Sequence, residues 1–290
     1  MNMNKRDIFL STFSYNPVQE IAEYGIGIEF NQFCISQWLD DEAIDNTLMK
    51  MERQAFRAGL SQGGYCNLAP KGEKDFELEE TIWPEGKPLG DLVAPNKAIV
   101  HGPFTELCPA AFDHRFRELV RDRFDQAAAG TIRLGLNRMV VHTGFIPVIF
   151  DPKWHLEHSV QFWWDFINQQ PENFRLYIEN VMDDEPYLLL DLVKEIDDPR
   201  VRICLDVGHV NAISAVPVEE WIRQLGPWIG HFHLHNNDGE HDQHLPLLEG
   251  TLDMEKTLDQ IDAYCPEDAT FTIESRECHD SIHWLLEKMG

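Results

Sequence analysis

The chain has 290 residues, of which 43% are hydrophobic; this is enough to bury a sizeable core and excludes a disordered or collagen-like polypeptide. Its 24 basic and 50 acidic residues give a formal net charge of −26, and so acidic a surface repels the polyanionic backbone of DNA. The longest apolar stretch, Phe145 to Phe150, is far shorter than the ~18 residues that cross a bilayer, so we expect no membrane span.

The amino terminus and the cysteines indicate where the protein resides. The first residues lack the apolar segment of a secretory signal. The six cysteines are widely scattered and never form a Cys-x-x-Cys pair, which argues against a disulfide framework and a thiolate zinc site. We therefore expect a cytoplasmic protein with reduced thiols.

Short β-branched runs alternate with longer segments of helical period along the whole chain. We expect strands at 7–13, 26–33, 97–104, 138–144, 174–180, 201–207, 229–235 and 269–276. Helices are expected at 17–24, 40–57, 113–137, 155–170, 186–196, 218–225, 253–263 and 280–289. Eight such alternations predict a closed (β/α)8 TIM barrel that forms a single domain over residues 1–290.

Two segments bear on the choice of architecture. An open doubly wound sheet would carry a glycine-rich phosphate loop after an early strand, and the nearest match, GIGIEF at 25–30, lacks the third glycine. The segment at about 58–96 is rich in glycine, proline and charge and is too long for an ordinary connection. We interpret it as an insertion that packs over the outside of the barrel.

Imidazoles and carboxylates recur at the predicted ends of the last six strands and in the loops that follow them. Side chains at these ends converge on the mouth of a barrel. The residues are His101, His142, Glu179, Asp206, His209, His233, Asp242, His244 and Glu274. A single histidine or carboxylate at a strand end is usually structural, but recurrence at six successive strands indicates one shared site.

These residue types predict a divalent metal. Buried carboxylates that face one another raise one another's pKa unless a cation compensates them, and Glu179, Asp206 and Glu274 are expected at one mouth. A mixture of imidazole and carboxylate ligands favours Zn²⁺ or Mn²⁺. His231 and His235 flank His233 on its strand and point inward with it, so we expect them to support the ligands rather than to bind metal.

Several motifs resemble the xylose isomerase-like TIM-barrel superfamily over nearly the whole chain. They are LDVGH at 205–209, HLHNNDG at 233–239, DQH at 242–244, EGT at 249–251 and the glutamates at the strand ends. The superfamily includes sugar isomerases, ketose 3-epimerases and endonuclease IV. The resemblance therefore implies a metal-dependent barrel enzyme but leaves its reaction open between two patterns.

The ketose 3-epimerase pattern implies one metal ion held by four residues. By this resemblance the ligands are Glu179, Asp206, His233 and Glu274. The two glutamates would also exchange a carbon-bound proton from opposite faces of the sugar. Glu185 and His209 match substrate-binding positions of that family. The arginine expected six residues after His233 is absent, because position 239 is glycine.

The endonuclease IV pattern implies about three zinc ions, and each of its nine ligands has a counterpart here. By this resemblance His101, His142 and Glu179 hold the first ion. Glu179 bridges to a second ion, which is also held by Asp206, His233 and Glu274. The third ion is held by His209, Asp242 and His244.

Charge favours the first pattern. Three divalent cations add six charges and leave −20, and the loop at 31–43 after the second strand contains no arginine with which to insert into DNA. We therefore predict a metal-dependent sugar or sugar phosphate isomerase or epimerase with a small-molecule substrate. A trinuclear zinc phosphoesterase acting on a small phosphodiester or abasic-site DNA is the alternative. A catalytically silent binding barrel is a third hypothesis, and the oligomeric state, homo-oligomers included, stays open.

Aromatic and histidine residues outside this set receive simpler interpretations. Phe104, which follows His101-Gly-Pro, and Trp38 in the second loop are predicted to form an apolar wall for a sugar ring. Four further histidines lie on or beside predicted helices and are expected at the surface or as caps. They are His155, His158, His279 and His283.

Overall fold

The structure is a computed structural model that describes residues 6–58, 97–104 and 106–290. Eight parallel strands close into a barrel in chain order, and β8 pairs with β1. The strands are β1 (Ile8–Ser11), β2 (Gly27–Phe30), β3 (Ala98–His101), β4 (Arg138–His142), β5 (Arg175–Glu179), β6 (Val201–Asp206), β7 (Ile229–Leu234) and β8 (Thr270–Ile273). This confirms the predicted (β/α)8 TIM barrel.

Helices surround the barrel in the described ranges. They are α1 (Pro17–Tyr24), α2 (Ile44–Arg57), α3 (His114–Arg133), α4 (Pro152–Ile167), α5 (Tyr187–Ile196), α6 (Val207–Ile213), α7 (Val218–Leu225), α8 (Met254–Tyr264) and α9 (His279–Met289). Two short 3-10 helices cover Ser36–Leu39 and Gly226–Trp228. The sequence predicted no helix over 207–213, where α6 directly follows β6.

Strand residues alternate between the helix layer and the barrel interior, as the two-residue period of a strand requires. Apolar residues such as Leu10, Ile178 and Phe232 are fully buried against the helices. Residues of the other parity form a separate interior cluster. It comprises Phe9, Ile99, Val140, Tyr177 and Cys204. The imidazoles and carboxylates of the same parity lie further along the strands, towards their C-terminal ends, so this cluster forms the apolar floor of the barrel mouth.

Aspartate side chains cap three long helices and one short one. Asp113, Asp151 and Asp253 accept hydrogen bonds from backbone N–H groups in the first turns of α3, α4 and α8. Asp206 does the same for α6, accepting from the N–H of His209 at 2.7 Å. A residue predicted as a metal ligand is therefore also a helix cap, and this bond fixes the orientation of its carboxylate.

One expectation about the helix histidines is wrong. His155 is buried beneath α4, and its Nε2 lies 3.2 Å from the carbonyl oxygen of Thr143, to which it donates. It also packs edge-on against Phe145. The side chains of His279 and His283 on α9 are exposed, as expected.

Three further expectations have different outcomes. From residue 59 onward the predicted insertion at about 58–96 lies outside the described residues. Over the ranges that are described, no helix combines the length and apolar character needed to cross a membrane. The five cysteines in these ranges form no disulfide, as their scattered spacing predicted.

Candidate metal centre at the barrel mouth

His233 on β7 is the centre of the residues gathered inside the barrel mouth. Its Nδ1 lies 3.1 Å from Oε1 of Glu179, 3.5 Å from Oε2 of Glu274 and 3.8 Å from Oδ2 of Asp206. All four side chains are buried. The structure thus brings together the four residues that the sequence analysis proposed as ligands of a single metal.

A second group forms around the other oxygen of Glu179. Oε2 lies 3.3 Å from Nε2 of His101 and 3.4 Å from Nε2 of His142, on the two preceding strands. Among the described residues this buried oxygen has no hydrogen-bond partner. Two imidazole nitrogens and an unsatisfied carboxylate oxygen therefore point at one another inside the barrel.

A third group lies above the first, nearer to solvent, and contains His209, His235, Asp242 and His244. The Nε2 atoms of His209 and His244 lie 3.4 and 3.2 Å from Oδ2 of Asp242. The Nε2 of His235 lies 3.6 Å from Oδ1 of the same carboxylate. The rings of His235 and His244 are stacked, with centroids 3.9 Å apart. Three imidazoles thus surround one carboxylate.

Three of these histidines are oriented by backbone carbonyls. The Nδ1 atoms of His101, His209 and His244 lie 2.9–3.0 Å from the carbonyl oxygens of Gly102, Asn180 and Glu274 respectively. A carbonyl oxygen only accepts, so each Nδ1 carries the proton and a neutral ring keeps its lone pair on Nε2. A hydrogen bond of this kind typically orients a metal-ligating histidine.

Positively charged imidazoles balance the negative charge of the carboxylates in this centre. Burial raises the pKa of Glu179, but the positive charge of His233 outweighs it and holds that pKa well below its usual range. Burial lowers the pKa of His209, but Asp206 and the hydrogen bond to Asp242 raise it to about 10. Protonated imidazoles therefore compensate the carboxylates in metal-free protein. Imidazoles therefore provide positive charge beside the carboxylates in addition to the predicted metal.

The donor set nevertheless fits a divalent cation. One ligand atom each from Glu179, Asp206 and His233 lie within 4.8 Å of one another, and the same is true of His101, His142 and Glu179. Imidazole nitrogens and carboxylate oxygens in this proportion suit Zn²⁺ or Mn²⁺. The unsatisfied Oε2 of Glu179 and the fixed Nε2 lone pairs are consistent with ligands arranged for a cation.

A family comparison agrees with this geometry. The sequence model for the xylose isomerase-like TIM barrel matches residues 92–287. The chain belongs to this family.

Solved structures show the same fold at low identity. A D-tagatose 3-epimerase-like protein is 22% identical with a TM-score of 0.66, and the match covers 98% of this chain and 97% of that one. The TTHB071 protein from Thermus thermophilus, soaked with ZnCl2, is 22% identical with a TM-score of 0.69, covering 97% of each chain. At such identities the likeness establishes the fold alone.

A relative in sequence is the uncharacterized protein MJ1311 from Methanocaldococcus jannaschii. It is 30% identical over an alignment 200 residues long, and the match covers 63% of this chain and 66% of that protein. The match therefore spans just under two thirds of the relative's length.

The four predicted substrate contacts of this xylose isomerase-like barrel differ in their burial and in the residues around them. Phe104 stacks on the ring of His142, with centroids 4.4 Å apart and planes 14° from parallel, and is 37% exposed. Trp38 is 41% exposed and lies on the first 3-10 helix. Glu185 is partly buried in the loop between β5 and α5. His209 is buried within the third group.

Two residues that the sequence analysis did not propose as ligands, Glu29 and His235, contact the proposed ligands. Glu29 on β2 is completely buried and contacts His233, yet it was not singled out. The sequence feature that could have identified Glu29 is a glutamate at an inward-facing strand position between the apolar residues Ile28 and Phe30. His235 was expected to support the ligands, but its Nε2 lies 3.1 Å from Oδ1 of Asp206 and it belongs to the third group.

Proposed function

We propose that this chain is a metal-dependent isomerase or epimerase that acts on a sugar or sugar phosphate. The observation that carries the proposal is the convergence of two glutamates on one imidazole nitrogen. Glu179 and Glu274 approach Nδ1 of His233 from different strands, β5 and the end of β8, at 3.1 and 3.5 Å. Two carboxylates beside one cation position suit removal and return of a carbon-bound proton.

The proposed ligands are Glu179, Asp206, His233 and Glu274. A Zn²⁺ or Mn²⁺ ion held by them would polarise a substrate carbonyl and its neighbouring hydroxyl and so acidify the adjacent C–H bond. One glutamate then takes the proton and the other delivers a proton to the opposite face.

Other residues of the mouth would bind and orient the substrate. His209 lies between Asp206 and Asp242 and can hydrogen-bond to a sugar hydroxyl. Phe104 and Trp38 would offer apolar surface to the carbon face of a ring. Glu185 remains a proposed contact on the strength of the resemblance alone. A small polar substrate suits a chain with a net charge of −26 better than a nucleic acid does.

Proton exchange with solvent provides a direct test. Metal-loaded protein is incubated in D2O with a panel of ketoses and ketose phosphates, and deuterium at the carbon beside the carbonyl is followed by NMR. Wild-type protein should incorporate deuterium, and Glu274→Gln should slow incorporation by about 10²-fold or more, the range expected for losing a general acid–base group.

Glu277→Gln is the matched control. Glu277 is exposed and only three residues from Glu274, so this substitution also removes one carboxylate but should leave the exchange rate unchanged. Failure of the metal-loaded wild-type protein to exchange any sugar proton would contradict the proposed function. Equal loss in both variants would contradict the role given to Glu274.

A zinc phosphoesterase is a second candidate, favoured by the compactness of the other two groups. His101 and His142 lie at Glu179, and His209 and His244 lie at Asp242, which is the arrangement a multinuclear site requires. About three tightly held zinc equivalents after dialysis, with hydrolysis of bis(p-nitrophenyl) phosphate, would support it. Asp242→Ala separates the candidates, because it should abolish hydrolysis at a multinuclear site but spare much of an isomerase activity.

A further inference from the structure

Glu29 is a buried carboxylate on the far side of His233 from the proposed metal ligands. Its Oε1 lies 3.1 Å from Nε2 of His233, whereas Nδ1 of the same ring faces the other carboxylates. Glu29 is 0% exposed and lies on β2, across the barrel mouth from β7. One imidazole is therefore held between a carboxylate behind it and the proposed metal position in front of it.

The second oxygen of Glu29 is also fixed. Oε2 lies 3.2 Å from Nε2 of His231 and 2.5 Å from Oγ1 of Thr272. The other ring nitrogen of His231, Nδ1, lies 2.7 Å from Oγ1 of Thr270, whose hydroxyl can donate to it. The ring of His231 also packs near Phe9 and Tyr177 in the apolar floor. Glu29 therefore has little freedom to rotate away from His233.

The donor and acceptor roles follow from the chemistry of a carboxylate. An ionised glutamate only accepts hydrogen bonds, so the Nε2 atom of His233 must carry a proton where it meets Oε1. A neutral His233 then has its lone pair on Nδ1. Nδ1 also meets a carboxylate, Oε1 of Glu179 at 3.1 Å, so a lone pair on Nδ1 suits a cation placed between them, whereas Nε2 keeps its proton towards Glu29.

From this geometry we propose that Glu29 is a positioning residue that fixes the ring and tautomer of His233 so that Nδ1 faces the metal. The inference rests on the proposed metal site. It adds a residue from β2, a strand that supplies none of the proposed ligands. A carboxylate behind a ligating imidazole also raises the basicity of the ligand, and loss of such a partner typically weakens metal binding by about 10- to 100-fold.

Two variants of Glu29 separate its charge from its hydrogen bond. Glu29→Gln keeps the shape and one acceptor oxygen but removes the charge, whereas Glu29→Leu removes both. Zinc affinity, measured by competition with a chromophoric chelator, should fall about tenfold in Glu29→Gln and about 100-fold in Glu29→Leu. Glu52→Gln, at a partly buried glutamate on α2, is the control and should bind zinc as the wild type does.

A spectroscopic measurement tests the orientation itself. In zinc-loaded protein with ¹⁵N-labelled histidine, His233 should show a metal-bound Nδ1 and a protected Nε2–H proton, assigned by its disappearance in His233→Asn. The Nε2–H proton should exchange faster with solvent in Glu29→Gln and be lost in Glu29→Leu. A general loss of stability would not selectively alter this resonance.

The outcomes distinguish this inference from the proposed function. Wild-type zinc affinity in Glu29→Gln together with an unchanged Nε2–H resonance would overturn the role of Glu29 and leave the metal site intact. A wild-type protein that binds neither zinc nor manganese would overturn the metal site and this inference with it. If Glu29→Leu does not fold, the near-isosteric Gln variant alone decides.

Discussion

Gly208 packs directly against the imidazole of His235. A Cβ atom at position 208 would lie 2.0 Å from Cε1 and 2.4 Å from each ring nitrogen of that histidine, well inside van der Waals contact. Gly208 lies in α6, where alanine would otherwise be favoured by about 1 kcal/mol. The glycine therefore provides the space that His235 occupies beside Asp206.

We predict that Gly208→Ala displaces His235 and destabilises the metal-free protein. The added methyl group must move a buried ring, which typically costs about 1–3 kcal/mol in the free energy of unfolding. Urea unfolding in the presence of a chelator measures this. The same substitution in a His235→Ala background, where the ring is gone, should be neutral or stabilising. Equal destabilisation in both backgrounds would contradict the packing relationship.

His155 should make stability depend on pH. Burial lowers its pKa from 6.5 to about 4 in the folded protein, although a hydrogen bond to Thr143 opposes the shift. The unfolded chain therefore binds a proton first as the pH falls below 6.5. The free energy of unfolding therefore keeps its full value above pH 6.5 and decreases progressively down to pH 4. At pH 5 the loss should amount to about 2 kcal/mol.

The variant His155→Gln removes this titration and keeps a donor for the carbonyl of Thr143. We expect the change in unfolding free energy between pH 7 and pH 5 to be smaller in the variant than in the wild type by about 2 kcal/mol. His283→Gln, at an exposed histidine of α9, controls for the loss of one imidazole. Parallel pH curves for wild type and His155→Gln would disprove the prediction.

Zinc binding should release protons at pH 7. Burial lowers the pKa of His233, but Cys204 and the surrounding carboxylates outweigh burial and hold that pKa well above its ordinary value, so the ring is protonated in metal-free protein. A ligating imidazole must be neutral, and the proton has to leave when the metal arrives. We expect about one proton or more per zinc, measured with a pH indicator in weak buffer. Calcium, which prefers oxygen ligands, is the control, and zinc uptake without proton release would refute this account.

The fold was predictable because it depends on a repeated local pattern. Eight apolar strands separated by helical segments leave few architectures open, and strand parity then places residues such as Glu179 and His233 inside the barrel. The resemblance of LDVGH and HLHNNDG to one superfamily added to this prediction. No comparable repeat marks α6, a seven-residue helix whose cap, Asp206, had been interpreted only as a ligand.

The sequence analysis missed Glu29 because it placed the end of the second strand too far along the chain. The predicted second strand extended to residue 33, which placed Glu29 in its middle, whereas β2 ends at Phe30 and puts Glu29 close to the mouth. His155 could have been found, because it lies seven and eight residues before the buried Phe162 and Trp163 on the same helix face.

The two-residue alternation of a strand shows which side chains point into the barrel, but it does not show how far along the barrel axis each of them lies. Asp206 is in register with His233, but Glu179 is in register with Cys204, two residues lower on β6 than Asp206. This stagger is a property of the closed barrel and determines which inward side chains meet. It brings His235 level with Asp242 and His244. The sequence analysis also considered the carboxylates without the imidazoles that lie between them.

Phe104 is expected to contribute to substrate affinity through its exposed ring, which stacks on His142 beside the proposed metal ligands. Replacing it with alanine removes apolar surface worth about 1.5 kcal/mol or more, so Phe104→Ala should raise KM roughly tenfold on a sugar identified by the exchange assay. Phe112→Ala is the matched control, because Phe112 is also exposed but packs near Phe150 and Trp154 instead. An unchanged KM in Phe104→Ala would show that the ring serves only to hold His142.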